Sequence, residues 1–287
     1  MKKTALGLLL VTSALVLAAC SATRVAYNNA DTMLRFMVPS YLDLDAEQSD
    51  DLTPRIVRFH QWHRSNELPL YVALLQSASQ RAARGITAGD VAWGLANVRS
   101  RYRRFAAKAA EDAAPVLVTL APAQHVVLEK KFAENNEKYA KEFLSTDDTK
   151  RRRAQLKRML ERFRDFAGEL APDQEARIGR FALDHERHTA LRFEDRLRWQ
   201  HDFVAFLRQE RKPEDLGRHL AEMFQKPELR RSEEFIREDK RWDEGLGQLI
   251  VDLDRSLSPN QRAHVVQRLS DYAEDFAVLA GRRKEVA

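Results

Sequence analysis

The sequence is poor in the residues that cross-link and punctuate a chain. It has one cysteine, Cys20, which excludes an internal disulfide and a cysteine-based zinc site. Glycine and proline number only 10 and 9 in 287 residues, roughly half the usual share, which argues against a turn-rich β fold. No stretch sustains the period-two alternation of a half-buried strand. Neither charge sign dominates: 48 Lys+Arg stand against 43 Asp+Glu. With 32% charged and 44% hydrophobic residues, the chain is neither a polytopic membrane protein nor a disordered tail. A G-x-S-x-G elbow, a Walker loop and a G-x-G-x-x-G turn are all missing.

What is present begins with an address. Met1-Lys2-Lys3 is a positive start, and Ala5 to Leu17 is an uncharged apolar run too short to span a bilayer, which takes about 20 residues. It ends in Leu17-Ala18-Ala19-Cys20, which resembles a bacterial lipobox. That resemblance implies cleavage between Ala19 and Cys20, with lipid carried on the Cys20 sulfur and the new amine. Several acyl chains on one residue make a stable tether, where a single chain binds only marginally. Ser21, standing where an Asp would favour inner-membrane retention, points to the periplasmic face of the outer membrane. The chain therefore divides into a signal peptide over residues 1–19, a lipidated tether over 20–30 and a single domain over 31–287.

That domain reads as all-α. Apolar residues recur at three and four, as in Leu156, Met159, Leu160, Phe163, Phe166 and Leu170, or Leu246, Leu249, Ile250, Leu253 and Leu257. Pro122, Pro172, Pro213, Pro227 and Pro259 open periodic segments, where a missing N–H has no partner to lose. Pro54, Pro69 and Pro115 fall where a helix would kink or restart. The spacing predicts helices over 31–38, 45–65, 68–84, 88–118, 122–144, 149–168, 172–210, 213–225, 228–256 and 259–281. Short links between long helices favour a bundle of antiparallel neighbours, with room for two lobes meeting near residue 148. Four starts share the form L-x-x-x-Q, at Leu44–Gln48, Leu120–Gln124, Leu170–Gln174 and Leu257–Gln261. Each sets its second residue at the N-cap and Gln at N3, as a capping box does, so they read as four independent helix starts.

The candidate site residues are few. His60, His63 and Glu67 form a possible polar cluster. His185 and His188 share the i, i+3 spacing of the first pair, but lack the His-Glu-x-x-His spacing of a zincin. No Glu stands three residues before any His, so a ferritin-like di-iron site is not encoded either. The expectation is no metal, no cofactor and no catalytic residue. Between Lys150 and Arg164, basic residues including Arg151, Arg152, Arg153, Lys157 and Arg158 stand against Glu161 alone. Inside a cell such a run would suit nucleic acid. After export the available anions are lipid head groups and acidic protein surfaces.

Two resemblances follow. Tyr27-Asn28-Asn29, then His60-Gln61-Trp62-His63-Arg64-Ser65-Asn66-Glu67-Leu68-Pro69-Leu70-Tyr71, then Arg198-Trp199-Gln200, Lys226-Pro227-Glu228 and Leu257-Ser258-Pro259-Asn260-Gln261 resemble, in this order, a family of proteobacterial lipoproteins known as a domain of unknown function. The resemblance implies a lipid-anchored, all-helical envelope protein and supplies no reaction. The L-x-x-x-Q starts are similar to the L-T-x-x-Q motifs of Spy-like periplasmic chaperones, without the Thr. The expected function is non-enzymatic binding or scaffolding of an envelope protein or anionic lipid, with a periplasmic holdase as the alternative and a hydrolase of unrecognised site behind both. Metabolic labelling with palmitate is expected to mark the wild-type chain and not a Cys20→Ser variant; label persisting in the variant would refute the anchor.

Overall fold

The computed structural model describes residues 22–209 and 212–281, and the described residues hold helices and no strand. The signal peptide, Ala19 and Cys20 lie outside them. In chain order the helices are α1 (22–28), α2 (Ala30–Leu42), α3 (Ala46–Trp62), a π-helical turn (His63–Glu67), α4 (Leu68–Arg84), α5 (Ala88–Leu117), α6 (Pro122–Phe143), α7 (Asp148–Ala167), α8 (Pro172–Asp184), α9 (Glu186–Gln209), α10 (Pro213–Gln225), a 3-10 turn (Pro227–Leu229), α11 (Glu233–Ser256) and α12 (Pro259–Leu279). The fold is the all-α, multi-helix bundle that the periodicity predicts.

The four L-x-x-x-Q starts are not independent. Each Gln side-chain oxygen accepts the N–H of its own N-cap residue: Asp45, Ala121, Ala171 and Ser258 donate at 3.1, 2.8, 2.9 and 2.9 Å. Each Gln amide then reaches a second corner. Gln48 donates to Gln124 at 3.1 Å and Gln124 returns a bond at 2.7 Å. Gln174 and Gln261 do the same at 3.2 and 2.9 Å. Every one of these amides also donates to the carbonyl just ahead of its partner's Leu: Thr119, Asp43, Ser256 and Glu169 accept. Two corners are thus clasped to each other, twice. Beneath them Leu120 and Leu170 are buried, and Leu44 and Leu257 are packed against the same cores.

These clasps expose a duplicated plan. The first half runs α2, corner, α3 bent into α4, α5, corner, α6. The second runs α7, corner, α8 bent into α9, α11, corner, α12, with α10 inserted ahead of α11. The packing is duplicated too. Helix α2 lies on α3 and α6, as α7 lies on α8 and α12. Helix α6 packs on α9 and α12 on α4, so each half ends against the other's bent helix, while α5 meets α11 between them. Equivalent positions match: Leu52 and Ile178, four past their Gln, are both buried. Phe105 and Trp242, fifteen before their Leu, pack on His63 and His188 respectively, the second member of each His pair.

Helix α12 runs antiparallel to α4. Arg262 donates to the Ala82 carbonyl at 2.7 Å at one end, and Arg64 to that of Leu279 at 3.2 Å at the other. Small residues let α10 approach α5: a Cβ on Gly217 would already touch that of Ala114 at 3.4 Å. There are two main cores, but they do not part at residue 148. The larger joins Ala114, Leu117 and Leu128 to Val204, Leu207, Leu216 and Leu220 from the second half.

Three expectations need correcting. The helix expected over 172–210 breaks at His185, with no Pro or Gly to announce it; the buried His185 ring packs on Phe181 and faces Gly245, where a Cβ would collide with its Nε2. Helix α2, expected to end at 38, continues through Pro39 to Leu42, while Pro54 and Pro115 lie within α3 and α5 as the ranges 45–65 and 88–118 have them. The tether over 20–30 is not slack from residue 22 onward: it is helical, and Arg24 pairs with the buried Asp275 on α12 at 2.7 Å.

Removing Gln174 strands the Ala171 N–H, the Ser256 carbonyl and one N–H of the Gln261 amide. Gln174→Ala is therefore expected to cost about 2–3 kcal/mol in urea unfolding. Adding Gln261→Ala should cost clearly less than a second such increment; strict additivity would show that the two amides are not coupled.

Candidate functional site

The His60, His63 and Glu67 cluster is built by the π turn. Leu68 N–H bonds the His63 carbonyl in the five-residue π register. Pro69 follows immediately; it has no N–H to give, and its ring opposes the carbonyl of Ser65, so a wider turn relieves it. The turn divides the cluster. Both histidines face α1: His63 Nδ1 is 2.8 Å from the Tyr27 hydroxyl, and His60 Nε2 is 3.1 Å from the Tyr27 carbonyl. On its other nitrogen His63 meets the Tyr71 hydroxyl at 3.3 Å. Glu67 instead faces α5, fully buried, with Arg104 Nε at 2.7 Å and Arg101 at 3.6 Å.

Burial sets the charge states. It holds the His63 pKa down at about 4, helped by neighbouring His60, and pushes Tyr27 up to about 12 against the pull of Arg64. His60 is lowered, first by burial and then by Arg64, and Tyr71 is raised by burial and by Glu67. At neutral pH this leaves an uncharged His63 bridging two protonated tyrosines. Such a bridge fixes α1 to α3 and α4. Nothing in the sequence marks Arg101 and Arg104 as members of this site; Tyr27 and Tyr71 have a local trace in the strings Tyr27-Asn28-Asn29 and His60 to Tyr71.

The second histidine pair sits at the corresponding bend. His188 Nε2 lies 3.0 Å from Asp239 Oδ1, and Arg231 joins Asp239 to Asp195 at 3.2 and 3.3 Å. Bonding to His188 lowers the Asp239 pKa. Among the described residues no three His, Cys, Asp or Glu side chains converge as metal ligands.

The basic run on α7 is partly neutralised. Arg151 and Arg152 both pair with Glu186, Arg151 also with Asp148, and Lys157 with Glu161. Arg158 lies over the Phe143 ring at 4.3 Å. Arg153 lines a shallow groove beside Lys150 and Lys157.

A larger concavity lies elsewhere. A groove of about 850 Å³ runs between α5 and α10, with Trp62 at one end. Ala107, Pro115, Pro213 and Ala221 line it, and Arg103, Arg104, Lys108 and Arg218 border it. Arg104 is held there by the buried Glu67 behind it, and its guanidinium lies 5.9 Å from the Trp62 ring centroid. The groove exists because α10 is inserted only in the second half, so a single-sequence motif could not announce it.

Residues 40–237 match the model of a family of unknown function, DUF6279, and the chain belongs to that family. No curated protein and no solved structure matches the chain. Among the described residues no helix is long and apolar enough to cross a membrane.

The histidine bridge predicts an acid-labile clasp. Between pH 6.5 and about 4 an unfolded His63 takes up a proton that the folded one refuses, so stability falls as pH drops through that window. The loss is expected to be on the order of 2 kcal/mol, allowing for the ring's partial exposure. His63→Phe should flatten the dependence of urea stability on pH; an unchanged slope would remove His63 from the account.

Proposed function

We propose that this DUF6279 member is a lipid-anchored protein of the cell envelope, held at the periplasmic face of the outer membrane through Cys20, that binds another envelope protein without catalysing a reaction. The observation that carries the binding role is the groove between α5 and α10. Its small apolar residues and prolines leave a smooth floor, and Arg103, Arg104, Lys108 and Arg218 outnumber Glu111 and Glu214 along it, with Arg104 set in place from behind by Glu67. An apolar segment bearing carboxylates fits such a groove, because apolar contact gives affinity and the rim charges give register and association rate.

The holdase alternative uses the same groove with many clients. Its other support, the recurring L-x-x-x-Q, is accounted for by the corner clasps, where the glutamines are occupied. A photo-crosslinking residue at Ala221, in lipidated protein within intact envelopes, distinguishes the readings. A discrete protein adduct, reduced at least fivefold by Arg103→Glu with Arg218→Glu, is expected for a specific partner. A broad ladder of adducts would favour the holdase, and no adduct would sink both.

A further inference from the structure

The N-terminal helix wears its surface inside out. Helices α1 and α2 form one nearly continuous rod, since Asn29 N–H bonds Val25 and Met33 N–H bonds Asn29 across the junction. Its charged residues turn inward or along its flank: Arg24 to Asp275, and Arg35 to Asp31 and Thr32. Its outward side, by contrast, carries Phe36 at 76% exposure, Val25 at 60%, Met37 at 59% and Met33 at 54%, with Asn29 between them and Ser40 just beyond. In a chain that is 32% charged, no residue exposed between 22 and 42 carries a charge.

Two features identify what covers this face. Cys20 precedes the first described residue by two positions, roughly 7 Å of extended chain. The uncharged side also runs the whole way from Val25 to Ser40, about 22 Å of helix. A rod standing upright on a membrane would need an apolar surface only at its first turn; one lying flat needs it along its length. A stable dimer takes roughly 800 Å² from each partner, more than one helix-wide stripe with four apolar side chains offers. We propose that the outer face of α1–α2 lies in the head-group layer of a lipid bilayer, a second, protein-built contact beside the acyl chains. The proposal rests on the reading of Cys20 as the anchor for its placement, and interfacial helices of this kind bury one apolar face to a depth of about 5–10 Å.

The test uses residues 20–287 with Cys20→Ala, so that no lipid contributes. Its partitioning onto vesicles of phosphatidylethanolamine and phosphatidylglycerol at seven to three is compared with that of the same chain carrying Met33→Ser, Phe36→Ser and Met37→Ser. The triple variant is expected to partition at least tenfold less, with an unchanged melting temperature. Equal partitioning, or none by either form, would overturn the proposal. So would a concentration-dependent dimer abolished by the same three changes, which would assign the face to a second copy. The mass of Cys20 in the wild-type protein is read separately: an unlipidated Cys20 sinks the anchor, whereas loss of the tenfold difference sinks only the lipid-facing helix.

Discussion

A glutamine amide placed at a helix corner and taken out of water must satisfy two N–H donors and an oxygen at once. Everything else in this bundle is arranged around meeting that demand four times. The oxygen serves the orphan N–H of its own helix start, which helices leave unpaired by construction. The amide is then committed to another corner. Gln48 and Gln124 meet across 76 residues, and Gln174 and Gln261 across 87. Those two long-range bonds determine which helix ends come together, and so determine the path of the helices between them. The leucine of each motif fills the core directly below, tying the polar clasp to apolar burial.

The duplicated plan turns this local constraint into an architecture. Because α6 crosses to α9 and α12 crosses to α4, the halves interlock: the core around Ala167 and Ile178 is the second half's own, whereas the one around Ala114 and Leu128 takes Val204, Leu207, Leu216 and Leu220 from the second half. The departures from duplication are where distinctive surfaces arise. Helix α10 has no counterpart in the first half, and the groove lies along its junction with α5. The first bend is a π turn facing two tyrosines, whereas the second is a break facing acidic residues and Arg231. One scaffold thus carries two unlike histidine pairs, held by tyrosine hydroxyls and a backbone carbonyl in one case and by carboxylates in the other.

Much of this was legible in the sequence, and the limit is physical. Period and N1 proline placed most helices to within a few residues, because both act within one element. The L-x-x-x-Q strings were readable as capping chemistry for the same reason: the bond from Asp45 N–H to Gln48 is local. The partner of Gln48 was not readable, since an amide bonded to Thr119 and Gln124 looks in sequence like any polar residue at N3. The break at His185 carries no local signal either; it answers to packing against Phe181 and Gly245. Pro54 does not end α3, because burial of Leu52 and Ile56 in one cluster holds the helix together on both sides of it.

The same distinction explains why residues 22–30 read as a tether. Tyr27, Asn28 and Arg24 have no apolar period of their own to declare a core-facing helix, and their partners are distant. Arg24 is bound to Asp275, Asn28 to Arg64 at 2.7 Å, and Tyr27 to His63. Asp275 is almost fully buried, and its pKa is raised by that burial while Arg24 pulls it down; without the guanidinium a carboxylate would be left alone in the interior. The first helix therefore cannot swing freely about its junction with the body. It is pinned at α12 through Arg24 and at the π turn through Tyr27, and the π turn is the same element that presents Glu67 to Arg104 at the groove. From residue 22 onward, the first helix and the groove are accordingly held at a fixed orientation to each other, by the contacts of Arg24, Tyr27 and Asn28 and by one bend.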